Sequence, residues 1–84
     1  MDCVICGAPH AHKHHIFYGP YRKTADKYGY VVPLCYEHHI GNNGIHFNRE
    51  MDLAFKRRAQ KDFEEKHGSR EEFRQLFGRS YLDE

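Results

Sequence analysis

The stretch that decides the fold is Cys35-Tyr36-Glu37-His38-His39. Two residues separate Cys35 from His38, which is the spacing at which one tight turn supplies two zinc ligands. The chain has a matching pair near its start, where two residues separate Cys3 from Cys6. Together the two pairs predict a structural Zn²⁺ site built from three thiolates and one imidazole, with the ligands Cys3, Cys6, Cys35 and His38.

The remaining histidines indicate a second site. Successive helical residues lie about 100° apart, so His38 and His39 cannot easily bind the same ion. An earlier pair, His14 and His15, reads as strand, where neighbours point to opposite faces and can do different jobs. One of the pair could hold a metal while the other handles a proton; alternatively one is packed and the other exposed. His46 follows a Gly-Asn-Asn-Gly turn and could return to the place that His39 faces.

Composition limits the class of protein. A chain of 84 residues is at most one domain, and a core this small usually needs a metal, disulfides or a partner. Its three cysteines cannot all pair as disulfides, which favours a metal site and a reducing, cytoplasmic compartment. The chain has no apolar run long enough to cross a membrane and no signal-peptide pattern at its start. A net charge of +1 argues against a purely electrostatic nucleic-acid binder.

Short elements surround the two pairs of predicted zinc ligands. The patterns predict a strand over His14–Tyr18, a strand over Val31–Leu34 and a helical turn over Tyr36–Ile40. Residues 21–30 have the composition of a polar connection. Arg22 and Lys23 lie there among tyrosines, a mixture that suits contacts to a DNA backbone and equally suits a solvated loop.

The second half of the chain is helical in pattern. Asn48 is a favourable N-cap for a helix that runs to His67 and ends at Gly68. The helix has one apolar face, formed by Met51, Phe55, Ala59 and Phe63, and its other faces carry charges that we expect to be solvated, at Lys56, Arg57, Arg58 and Lys61. Ser69 caps a shorter helix to Phe77. We expect this tail to fold onto the first helix or to form a homodimer surface.

The order of the motifs resembles a known family. Cys-x-x-Cys, then His-His-Ile, then Val-Pro-Leu-Cys-x-x-His-His is similar to the HNH endonucleases, and most of all to small phage and prophage HNH proteins related to the phage recombination-enhancing nuclease. The resemblance covers Cys3 to about Asn48. It implies an α+β fold with a zinc-stapled, treble-clef-like ββα-metal core in residues 1–48. The two helices that the pattern predicts in residues 49–84 would extend this core within one domain, 1–84.

The resemblance also implies an activity, which is metal-dependent hydrolysis of DNA phosphodiester bonds. It implies that His14, His39 and His46 ligate a catalytic divalent cation such as Mg²⁺, Mn²⁺, Ni²⁺ or Zn²⁺, and that His15 is the general base. The catalytic residues would then be His14, His15 and His39. The alternative function is a non-catalytic zinc module that binds DNA or a protein partner.

One position departs from the family pattern. The family has an asparagine five residues before the third zinc ligand, where it orients the general base, and this chain has Tyr30. Tyr30 could support His15 in another way. Asn42, Asn43 or Asn48 could also approach His15 from elsewhere in the fold. Alternatively, the catalytic site is weakened or inactive.

Overall fold

A computed structural model describes residues 2–42 and 44–82, and it has an α+β architecture. In chain order the elements are strand β1 (His12–His15), helix α1 (Arg22–Tyr28), strand β2 (Val31–Leu34), helix α2 (Tyr36–His39), helix α3 (Arg49–Lys66) and helix α4 (Arg70–Phe77), with 3-10 turns at Gly19–Tyr21 and Ile45–Phe47. The predicted α+β class is therefore confirmed. Within those described residues, no helix is both long and apolar enough to cross a membrane.

The sheet is a single antiparallel pair. His12 lies opposite Leu34, and His14 lies opposite Val32. The prediction that β1 would continue to Tyr18 was wrong, since the strand ends at His15. Beyond His15 the chain leaves the sheet and buries the side chain of Phe17 in an aromatic core. The prediction of β2 over Val31–Leu34 is confirmed.

The predicted polar connection over residues 21–30 was wrong for most of its length, because Arg22–Tyr28 forms α1. The burial of its side chains explains this helix better than the spacing of apolar residues in its sequence does. Ala25 is completely buried, and the ring of Tyr28 lies edge-on against Phe63. The helix ends at Gly29, whose φ of 78° is left-handed and is readily adopted only by glycine.

Aromatic residues fill the larger of two hydrophobic clusters. This aromatic cluster comprises the buried residues Ile16, Phe17, Ala25, Tyr30, Ala59, Phe63, Phe73 and Phe77. The Phe17 ring centroid lies 4.4 Å from that of Phe77 and 5.5 Å from that of Phe73. Helices α3 and α4 are thereby fastened over the strand end that carries the histidine pair.

A smaller cluster lies beside Cys3 and Cys35. Its buried members are Cys3, Leu34 and Ile45, and Met51 and Phe55 of α3 pack against it. The predicted apolar face of α3 is thus divided. Its first half packs on this smaller cluster, and its second half packs in the aromatic cluster.

The predicted boundaries of the two helices in the second half of the chain are confirmed. The Asn48 side chain accepts a hydrogen bond from the Met51 backbone N–H at 3.0 Å, which caps α3. Ser69 and Glu72 form a reciprocal capping box at the start of α4. Each cap satisfies backbone groups that a helix terminus otherwise leaves unpaired.

Lys56 corrects the expectation of a fully solvated charged face on α3. It is only 8% exposed, and its ammonium lies 2.8 Å from the Asp52 carboxylate and 3.2 Å from the Tyr18 hydroxyl. The aliphatic part of a lysine can cover apolar surface while its charged end is paired. Here the pairing joins α3 to Tyr18, in the segment that follows β1.

The chain after α4 folds back onto α3, which is the first of the two arrangements expected for the tail. Gln60 is fully buried and donates a hydrogen bond from Nε2 to the Ser80 hydroxyl at 2.9 Å. Its Oε1 accepts the backbone N–H of Tyr81 at 2.7 Å. A single amide side chain therefore satisfies two groups of the tail.

Candidate metal centres

The first metal centre is assembled by the N-terminal turn and the end of β2. The turn closes through a hydrogen bond from the Gly7 N–H to the Cys3 carbonyl at 2.9 Å, and the φ of 78° at Gly7 suits glycine. The Val4 N–H donates to the Pro33 carbonyl at 2.9 Å. This bond holds the turn beside Cys35, which is the N-cap of α2.

The four predicted zinc ligands converge, and we call them the cysteine–histidine cluster: Cys3, Cys6, Cys35 and His38. Their ligand atoms all lie within 4.8 Å of one another. The sulfurs of Cys6 and Cys35 are 3.7 Å apart, and the Cys3 sulfur is 3.7 Å from Nδ1 of His38. A tetrahedral Zn²⁺ with bonds of about 2.3 Å to sulfur would place two sulfurs about 3.8 Å apart. The cluster could therefore hold a structural zinc ion.

The electrostatics of the cluster also favour a cation. Burial acts to raise the pKa of the Cys3 thiol, but backbone N–H groups, that of Cys35 foremost, outweigh it and lower that pKa from 9.0 to about 6. The N–H of Ala8 acts to lower the pKa of Cys6, but burial and the thiols of Cys35 and Cys3 raise it overall. A second thiolate is thus costly beside the first, and a bound divalent ion would remove that cost.

Three further histidines converge from three elements, and we call them the histidine cluster: His14 of β1, His39 of α2 and His46 of the second 3-10 turn. One ring nitrogen from each lies within 4.8 Å of the others. Ring centroids are 5.1 Å apart for His14 and His39 and 5.0 Å apart for His39 and His46. Within the described residues, Nε2 of His14 and Nδ1 of His39 are buried and have no hydrogen-bond partner. Unpartnered buried nitrogens are rare, and a metal ion would satisfy both.

Two rings of the histidine cluster, those of His14 and His39, are kept neutral by their surroundings. Burial, followed by the proximity of His39 and His46, lowers the pKa of His14 from 6.5 to about 4. Burial and the neighbouring His46 also lower the pKa of His39. Metal ions bind the neutral imidazole, so no proton has to leave these two rings when an ion binds near neutral pH.

His15 lies beside the histidine cluster without joining it. It lines an open cavity of about 380 Å³ together with all three clustered histidines and Arg22. Its side chain is 16% exposed, and Nε2 is 3.4 Å from a carboxylate oxygen of Asp26. The two neighbouring histidines of β1 therefore occupy different positions, with His14 in the cluster and His15 at its edge.

The two cations predicted to contact DNA lie on the same side of the protein. Arg22 and Lys23, both exposed, begin α1 and line a neighbouring cavity of about 620 Å³ together with His15 and Asp26. Arg22 lines both cavities. Basic side chains therefore line the surface between α1 and the histidine cluster.

Neither Tyr30 nor the described asparagines support His15. Tyr30 is buried among aromatic rings, and its hydroxyl donates to the Asp62 carboxylate at 3.0 Å. Burial, together with that carboxylate, raises the pKa of Tyr30. Asn48 is occupied in capping α3, and Asn42 is exposed. Asn43 lies outside the described residues.

Sequence reasoning missed Asp26, the residue that does contact His15. Asp26 stands four residues after Arg22, and this spacing places both on one face of a helix. This four-residue spacing was the signal present in the sequence, but it places the two residues together only once residues 22–28 are known to be helical.

Comparison with protein-family models, with curated proteins and with solved structures finds no match to this chain. The function must therefore be inferred from the geometry of the two clusters and of the residues around them.

Proposed function

We propose that this protein is a metal-dependent DNA endonuclease of the HNH type, of phage or prophage origin. The observation that carries the proposal is the convergence of His14, His39 and His46 directly beside the cysteine–histidine cluster. A single peptide bond joins His38 of one cluster to His39 of the other. This division of a His-His pair between two sets of ligands is what the resemblance implies.

The arrangement of elements supports the same proposal. An antiparallel β1–β2 pair is followed by α2, and together they carry ligands of both clusters. On this proposal residues 1–48 form a treble-clef-like ββα-metal core, and α3 and α4 are an added helical layer. The structural ion would hold the N-terminal turn against α2.

The histidine cluster has the donor set for a catalytic divalent cation. Three imidazoles suit Zn²⁺ or Ni²⁺, whereas Mn²⁺ and Mg²⁺ prefer oxygen ligands, which the substrate would have to supply. When bound, such a cation would polarise the scissile phosphate and stabilise the departing 3′ oxygen. His14, His39 and His46 would hold it.

Residues around the cavity would carry out proton transfer and bind the DNA backbone. His15 would accept a proton from the attacking water at a ring nitrogen, a role that suits imidazole near neutral pH. Arg22 and Lys23 would contact the DNA backbone, because guanidinium and ammonium groups neutralise phosphates. All three line cavities that meet at His15.

Plasmid cleavage tests the proposal. Zinc-loaded full-length protein should relax or linearise supercoiled DNA when Mn²⁺, Ni²⁺ or Mg²⁺ is supplied. His15→Ala should abolish cleavage while the zinc content and the melting temperature stay unchanged. His10→Asn is a matched control, because His10 is an exposed histidine with a positive φ that asparagine tolerates. Absence of cleavage with every metal would contradict the nuclease.

A second candidate is a non-catalytic zinc module that binds a protein partner. Large apolar side chains are exposed next to the ligands of the cysteine–histidine cluster, namely Val4, Ile5, Tyr36 and Ile40. Stoichiometric binding of a partner through these residues, without hydrolysis of DNA, would favour this candidate.

A further inference from the structure

One carboxylate bridges two side chains of the histidine strand. Oδ1 of Asp26 lies 2.9 Å from the Lys13 ammonium and 3.4 Å from Nε2 of His15. Lys13 and His15 are two residues apart on β1, so they share a face of the strand. Helix α1 runs past that face and delivers Asp26 to both.

At 3.4 Å the contact favours a proton on the ring nitrogen that faces the carboxylate. An ionised carboxylate only accepts hydrogen bonds, so the neutral His15 ring must place its proton on Nε2 to donate to Asp26. Hydrogen bonding from Lys13, opposed by partial burial, lowers the pKa of Asp26 and keeps it ionised. The lone pair of the neutral ring is then on Nδ1.

We infer that Asp26 is the positioning residue for His15, fixing the ring by its Nε2 and leaving Nδ1 as the basic nitrogen. This inference rests on the proposed nuclease function and deepens it. Tyr30 stands where the resemblance expects an orienting asparagine, and its side chain is occupied in the aromatic cluster. The orienting contact comes instead from a different element, α1.

The contact is suited to orientation more than to stability. Asp26 and Lys13 side chains are each about half exposed, at 49% and 50%. Exposed ion pairs of this kind contribute little to folding free energy. Substituting Asp26 should therefore leave the melting temperature nearly unchanged, so effects on His15 can be measured in folded protein.

Nitrogen-15 NMR of the imidazole rings tests the inference without DNA and without a second metal. In zinc-loaded protein the neutral His15 ring should show the Nε2–H tautomer. Asp26→Ala should give a mixture of tautomers, while Asp26→Asn should retain the preference because its amide oxygen still accepts. Lys13→Met is the matched control and should leave the tautomer unchanged. An Nδ1–H tautomer in the wild type, or no change in Asp26→Ala, would overturn the inference.

Cleavage kinetics give a second, independent readout. Asp26→Ala should lower kcat roughly ten- to a hundredfold, a part of the total that a general base contributes. KM for DNA should not rise, because the variant removes a negative charge from a cavity lined by Arg22 and Lys23. Asp26→Asn should match Asp26→Ala in KM and recover much of kcat. Loss of an ion pair with a purely structural role would not lower kcat without raising KM.

The two failures are distinguishable. If the wild type cuts no DNA, the proposed function fails, and the tautomer of His15 alone decides whether Asp26 orients the ring. If the wild type cuts DNA and Asp26→Ala cuts with an unchanged kcat, the nuclease stands and the inference about Asp26 is overturned.

Discussion

His38 and His39 are consecutive in the chain, yet their rings belong to different clusters. Nδ1 of His38 lies 3.2 Å from the Cys35 sulfur, while the His39 ring centroid lies 5.0 Å from that of His46. The His39 N–H also donates to the Cys35 carbonyl at 2.8 Å. Displacement of a structural ion would therefore disturb both sites at once.

Cys35→Ser should weaken zinc binding and destabilise the fold. If affinity falls a hundred- to a thousandfold, binding linkage removes about 3–4 kcal/mol of stability at saturating metal. Metal content of the purified protein and thermal unfolding followed by circular dichroism would measure this. His38→Cys is the matched control, because four thiolates also form a structural zinc site. If metal-free Cys35→Ser melts at the same temperature as the zinc-loaded wild type, that result would count against a structural ion.

His39→Ala should abolish the second metal site and spare the first. Removing one of three imidazole ligands should weaken Mn²⁺ or Ni²⁺ binding by at least roughly a hundredfold, because even the loss of a group that only hydrogen-bonds to a ligand costs about ten- to a hundredfold. Titration of zinc-loaded protein by calorimetry would measure it. His12→Ala is the control, since the His12 ring lies 5.7 Å from that of His39 but is not a member of the cluster. Equal affinities in the two variants would rule out the three-histidine site.

Acid should destabilise the protein through His14 when no second metal is bound. The ring protonates with a pKa of 6.5 in the unfolded chain and of about 4 when folded. Between those pH values the unfolded state holds more protons, so stability falls as the pH falls, by up to about 1.4 kcal/mol per pH unit. Urea denaturation at several pH values would give this slope.

His14→Gln is the control for that experiment, since it removes the titrating ring and keeps the cysteine–histidine cluster. Its stability should depend less on pH than that of the wild type between pH 6.5 and 5. If stability falls equally steeply with falling pH in both proteins, acid destabilises the protein through groups other than His14.

Phe17→Ala should be strongly destabilising. The side chain is 2% exposed and lies among the rings of α4, so its removal leaves a cavity costing about 3–5 kcal/mol. Phe47→Ala is the matched control, because Phe47 is 71% exposed and should cost less than about 0.5 kcal/mol. Chemical denaturation of both variants would measure the difference. Similar losses would contradict the assignment of Phe17 to the core.

Spacing alone predicted the cysteine–histidine cluster and the helix caps. Cys3, Cys6, Cys35 and His38 were predicted from two matching intervals, because a tight turn allows few geometries for two ligands on one ion. Asn48 and Ser69 were predicted as caps, because their side chains act within three residues in the chain. These features are local, and local rules were enough.

The features missed depend on tertiary packing. Helix α1 has little apolar periodicity, and its burial depends on Ala25 and Tyr28 meeting α3 and α4. The burial of Lys56 depends on Tyr18, which is 38 residues away in sequence. The contact of Asp26 with His15 requires α1 to pack along β1. None of these partners can be read from neighbouring residues.

Val32 packs against both hydrophobic clusters and lies opposite His14 in the sheet. Loosening the aromatic cluster by heat would therefore disturb the position of His14, although His14 itself lies in the histidine cluster. Conditional, temperature-sensitive variants of the proposed nuclease should accordingly arise from substitutions in α4, at Phe73 or Phe77, which lie in neither set of metal ligands.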